Sequence, residues 1–165
     1  MSRFSWLKDK KEYASFAEEC IKADNYLDDD PNTAVMVSRT ALEKALEWVY
    51  THDPKLNRNL LQIREGKLKA LLDDQAFKAV LNDSWMCKRL NFIRKNGNTV
   101  LHGNGRLSKE YAKNTVKTLY DFVKWIDQKY GAHQEKSSEE GSFWGLAGMA
   151  ILAGIGAWLC HSKDN

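Results

Sequence analysis

Between Ile93 and Gly105 the chain reads IRKNGNTVLHGNG, a stretch that carries Arg94, Asn98 and His102 at steps of four. If a helix continues through it, positions four apart differ by about 40° in projection, and the three side chains form one polar line on its flank. Histidine moves protons near neutral pH, and arginine is a permanently charged partner for anions, so the three could act as a chemical unit. Two quieter uses compete with that chemistry. The segment could be a helix end in which Asn98, Gly103 and Asn104 supply turn residues, or the line could brace the fold. In a bracing role, His102→Ala should lower stability by about 1 to 3 kcal/mol. Gly97 lies inside the line and costs roughly 1 kcal/mol against alanine in a helix, which points to a closely packed neighbour or a bend.

A second polar pair, Arg39 and Glu43, stands four residues apart beside an apolar stripe. That spacing gives a helical ion pair able to brace a polar site behind it. Lys88, Arg89, Arg94, Lys95 and Arg106 cluster along one segment and are the candidate nucleic-acid contacts. Interleaved leucine and isoleucine allow a solvated helix face there equally well. The net charge of +3, from 25 basic and 22 acidic residues, makes any attraction to nucleic acid a local matter.

Neither metal nor cofactor is expected. Asp28, Asp29 and Asp30 precede Pro31 and read as a helix cap, and Cys20, Cys87 and Cys160 share no ligand spacing. Three cysteines also argue against a disulfide framework and for a reducing cytosol. No P-loop, nucleophile elbow or glycine-rich dinucleotide turn occurs.

The elements that must position these residues are helices. Lys8 to Leu27 places Tyr13, Phe16, Ala17, Ile21 and Ala23 at helical spacing. Asp30 as N-cap starts a second helix running to about Thr51, with Val35, Leu42, Leu46 and Val49 as its buried stripe. Shorter pieces follow at Lys67 to Leu72 and Gln75 to Leu81. Asp83 or Ser84 caps the next helix, whose inward side is Met86, Leu90, Ile93, Gly97 and Val100. Ser108 caps a last helix to about Tyr130, lined by Ala112, Val116, Leu119, Val123 and Ile126. No strand alternation competes, so residues 1–131 are expected to form an all-α, up-and-down helical bundle.

Beyond a polar linker at 132–141, residues 142–160 run nineteen positions without a charge. At 1.5 Å per residue they reach about 28 Å, the thickness of a bilayer's hydrocarbon core. Trp144 and Trp158 stand near the ends, and residues 161–165 make a short polar tail. A single C-terminal transmembrane helix is therefore expected. Without an N-terminal signal peptide, the globular part should face the cytoplasm from the inner membrane. Ala147, Ala150, Gly154 and Ala157 form a ridge of small residues suited to a second copy or a partner helix.

At two places the chain resembles a known family. IRKNGNTVLH is similar to the arginine, Gly-Asn, histidine signature of domain of unknown function 4145, a small all-helical domain of the HEPN superfamily. SRTALEKALEWVY is similar to its other signature, here Arg39, Leu42 and Glu43. The resemblance implies a HEPN-like bundle over about Lys8 to Tyr130, in a family of free-standing bacterial and phage proteins and of type I restriction enzyme R subunits. It also implies a link to antiphage defence or phage–host conflict. The wider superfamily includes metal-independent ribonucleases in which an arginine and a histidine separated by four to six residues meet across a dimer. On that pattern Arg94, Asn98 and His102 would be catalytic. Here seven residues separate Arg94 from His102, and only Lys95 has six between it and the histidine. The reading taken is a membrane-tethered, non-catalytic interaction or sensor module that works as a homo-oligomer or with a partner protein, nucleic acid being a further candidate partner. A membrane-anchored ribonuclease is the alternative.

Overall fold

The computed structural model describes residues 1–57, 67–103 and 107–131, and every regular element among them is helical. The chain divides into two compact units, Met1–Lys124 and Trp125–Asn165.

The first unit opens with two 3₁₀ turns, Ser5–Asp9 and Lys11–Tyr13, before helix α1 (Ala14–Asn25). The apolar periodicity by itself predicts a helix from Lys8. Lys10 breaks it: at φ −106° and ψ 87° it leaves helical space, so no i→i+4 ladder crosses this point. The short turns nonetheless bury Phe4, Leu7 and Tyr13. Phe4 meets the Tyr120 ring edge-on at 5.4 Å.

Helix α2 (Pro31–His52) is the centre of the bundle, packed against α1 and against α5 (Ser84–Leu101). Asp30 caps it, its carboxylate accepting from the Thr33 N–H at 3.0 Å, with Pro31 at the first position where a missing N–H is harmless. Val35, Leu42, Leu46 and Val49 are fully buried, as their spacing requires. Trp48 donates from its indole to the Glu12 carbonyl at 2.7 Å, tying α2 to the N-terminal turns.

Helices α3 (Lys67–Asp73) and α4 (Gln75–Leu81) follow the expected bounds to within a residue. The Tyr50 hydroxyl holds them to α2 by donating to the Leu71 carbonyl at 2.9 Å, with the Asp74 carboxylate also 2.9 Å away. Burial first, and Asp74 second, push that phenol above its ordinary pKa. Asn82 ends α4 in the left-handed region at φ 50°, and Asp83 caps α5 (Ser84–Leu101) through the Met86 N–H. Leu90, Ile93 and Gly97 of α5 are buried, as is Met86, whereas Val100 is half-buried. Ser108 accepts from the Tyr111 N–H at 3.3 Å at the head of α6 (Lys109–Ile126). Ala112, Val116, Leu119 and Val123 supply its buried face.

In the second unit the described residues end in a single wide turn, Asp127–Gly131, with i→i+5 geometry. Within it the Trp125 and Tyr130 rings meet edge-on at 5.9 Å. No helix among the described residues is long and apolar enough to cross a membrane. The linker 132–141, the expected span 142–160 and the tail 161–165 lie outside the described residues.

Candidate functional site

Helix α5 does continue through Gly97, so Arg94 and Asn98 share its flank and His102 stands at its C-cap. Each member of that line has a different role. Arg39, on α2, reaches across to donate from Nε to the Asn98 side-chain oxygen at 2.9 Å. Its Nη1 stands 3.4 Å from Glu43 on its own helix. The guanidinium is thus held on one side by an ion and on the other by an amide, and Asn98 is half-buried beneath it.

The stem of Arg39 explains Gly97. A Cβ at position 97 would lie 2.5 Å from Arg39 Cδ and 2.6 Å from its Cβ, inside any permissible contact. Only glycine lets α2 and α5 approach this closely with an arginine between them. The packed neighbour expected from the cost of Gly97 is therefore a side chain, and it belongs to the second polar pair.

Arg94 turns elsewhere. Its Nε donates to Asn91 one turn back at 3.3 Å, and its charge is felt at Asp73 on α3. That carboxyl lies below its ordinary range, chiefly through the Lys69 hydrogen bond, with Lys78 and Arg94 adding to it. His102 closes the helix through its backbone, donating N–H to the Asn98 carbonyl at 3.0 Å. Gly103 follows at φ 71°, the left-handed conformation that ends a helix at least cost in glycine. The His102 ring is exposed and makes no hydrogen bond among the described residues. Asn98 is thus joined to Arg39 across the two helices, whereas the His102 ring makes no such bond among the described residues.

Among the candidate nucleic-acid contacts, Arg89 is engaged internally. It donates to Asp121 at 2.7 Å and Thr118 at 3.1 Å on α6. Partial burial raises the Asp121 carboxyl, but hydrogen bonds from Arg89 and Lys117 outweigh this and leave it below its ordinary range. Lys88 and Lys95 are exposed, and Arg106 lies outside the described residues. Both lysines border an open groove of about 700 Å³ between α5 and the α3–α4 pair, with Lys78, Cys87 and Asn91 in its wall. Burial pushes the Cys87 thiol up, which keeps it protonated and a poor nucleophile.

Three features of this region lie outside the residues singled out from the sequence above. The groove needs α3 and α4 placed beside α5, a tertiary arrangement that no residue interval announces. Asn96 is 6% exposed, and its Nδ2 has no hydrogen-bond partner among the described residues. Trp85 and Phe92 stand exposed on the same helix. Among the described residues no three histidine, cysteine or acidic side chains lie where they could hold a metal ion.

A family model described as "Domain of unknown function (DUF4145)" matches residues 22–140, a span that includes Arg39, Glu43, Gly97 and Asn98. No curated protein and no solved structure matches the chain.

Proposed function

Because the chain belongs to the family of domain of unknown function 4145, we propose that it is a HEPN-like, non-catalytic interaction or sensor module, tethered to the cytoplasmic membrane through residues 142–160. The observation that carries this reading is the Arg39 to Asn98 hydrogen bond over Gly97. It engages the central member of the polar line in the α2–α5 packing. A catalytic amide must reach reacting atoms, whereas the Asn98 side chain accepts from Arg39 in a half-buried seam. The uncharged run 142–160 supports the tether, and its small-residue ridge supports a second copy or a partner helix beside it. The family resemblance supports a role in antiphage defence or phage–host conflict.

The ribonuclease alternative keeps one observation in its favour. His102 is exposed at the C-cap of α5, and the charge of Arg94 acts on Asp73 in the groove wall. One experiment separates the two: the purified full-length chain is incubated with single-stranded RNA in chelator, next to its His102→Ala form. Intact RNA in both samples supports the interaction module. Cleavage by the wild type alone, at equal melting temperature, overturns it. The tether is tested apart from this by high-speed sedimentation without detergent. Full-length chain recovered in the supernatant would remove the membrane from the proposal.

A further inference from the structure

The exposed side of α5 carries two parallel rows. Trp85 is 66% exposed and Phe92 38% exposed, seven residues apart. Lys88 and Lys95 repeat the same interval three residues further on, and both are exposed. In a helix a seven-residue step returns to within about 20° of the same face and rises about 10.5 Å. The lysine row runs beside the aromatic row, offset by about 60° around the axis and about 4.5 Å along it. On the lysine side the surface falls into the groove that Lys78 and Asn91 help to line.

The acids in that groove are already occupied. Asp73 is bound by Lys69 at 2.9 Å, and Asp83 caps α5. Lys88 and Lys95 enter no ion pair among the described residues. A cationic row beside an aromatic row matches a polymer with charge along one edge and flat rings along the other. Phe92 already packs on the Tyr111 ring at 4.8 Å, which fixes it as a platform.

We propose that this face binds single-stranded nucleic acid without sequence preference, phosphates along Lys88 and Lys95 and bases against Trp85 and Phe92. It rests on the interaction-module reading and names its partner class. Arg89 takes no part, because Asp121 and Thr118 hold it.

The test uses the full-length chain in mild detergent and a fluorescent oligodeoxythymidine of about fifteen nucleotides, followed by anisotropy across a salt series. A DNA strand has no 2′-hydroxyl to attack, so binding is measured whether or not the protein cleaves RNA. The double variant Lys88→Gln, Lys95→Gln should lower the steepness of log affinity against log salt by about 1.4, near 0.7 for each phosphate that is no longer neutralised. Trp85→Ala should weaken binding about five- to hundredfold. Lys11→Gln, which removes an exposed lysine of the N-terminal turns, should change neither quantity. All these positions are exposed, and unchanged melting temperatures will confirm that each variant folds. No binding at low salt, binding indifferent to Trp85→Ala, or equal affinity for a duplex of the same length would each overturn the proposal. So would a face that responds to Trp85→Ala only in binding phosphatidylserine vesicles or a protein partner. RNA cleavage, by contrast, would sink the non-catalytic reading and leave this surface to be judged on the DNA strand alone.

Discussion

Arg39 lies across α5 at Gly97, so closely that its Cδ occupies the space a methyl group on that glycine would need. Two helices that meet 59 residues apart in sequence are thus keyed by a single missing side chain.

Gly97→Ala should therefore destabilise the protein. In an exposed helix the change would gain roughly 1 kcal/mol of propensity. Here the added carbon meets the Cβ of Arg39 as well as its flexible end, and overpacking of this kind costs about 1 to 3 kcal/mol. Thermal unfolding should show a lower melting temperature, partly restored when Arg39→Ala is added. A melting temperature equal to or above wild type would mean that α2 yields freely at this point.

Asn98→Ala removes the acceptor of the Arg39 Nε and leaves a half-buried donor unpaired, a loss of about 1 to 2 kcal/mol. In a double-mutant cycle with Arg39→Ala the two changes should couple by more than about 0.5 kcal/mol, on the order expected for residues that touch. Additive losses would show that the bond contributes nothing.

His102→Ala should leave stability within about 0.5 kcal/mol of wild type, because its ring is exposed and its capping bond is made by the backbone. A loss above about 1 kcal/mol in chemical denaturation would place the imidazole in a packing role.

Asp121 supplies a pH dependence whose sign follows from its carboxyl lying below the ordinary value of 3.8 in the folded chain. A depressed acid binds fewer protons folded than unfolded near that value. Its contribution is complete above the unfolded pKa and disappears as pH falls through the folded one. Asp121→Asn should thus lower stability at pH 7 and flatten its decline below about pH 4, read as urea midpoints against pH. An acid limb as steep as wild type would assign the effect to other carboxylates.

The helices are legible because their signals are local. Asp30, Asp83 and Ser108 each accept from an N–H three residues ahead, and capping residues followed by apolar periodicity can be read from a few neighbouring letters. The turns before Ala14 escape such a reading because Tyr13 keeps helical spacing with Phe16 and Ala17 while Lys10 interrupts the backbone, and lysine has no property that announces such a break. At the site, Gly97 betrays a close neighbour by its cost alone. That the neighbour is Arg39 follows only from how α2 crosses α5, a tertiary relationship no spacing encodes. His102 shares the interval of its line but falls where the helix ends, and that position decides between seam and solvent.

The place of α2 has a kinetic consequence. It joins α1 through the short link Tyr26–Asp30, so their pairing closes little chain, whereas its seam with α5 closes a far longer loop. The α1–α2 hairpin is then expected to form on the way to the folding barrier and the Arg39–Asn98 bond beyond it. Breaking that bond should steepen the escape from the native state and spare the return. In stopped-flow measurements Asn98→Ala should raise the unfolding rate while refolding keeps its wild-type pace.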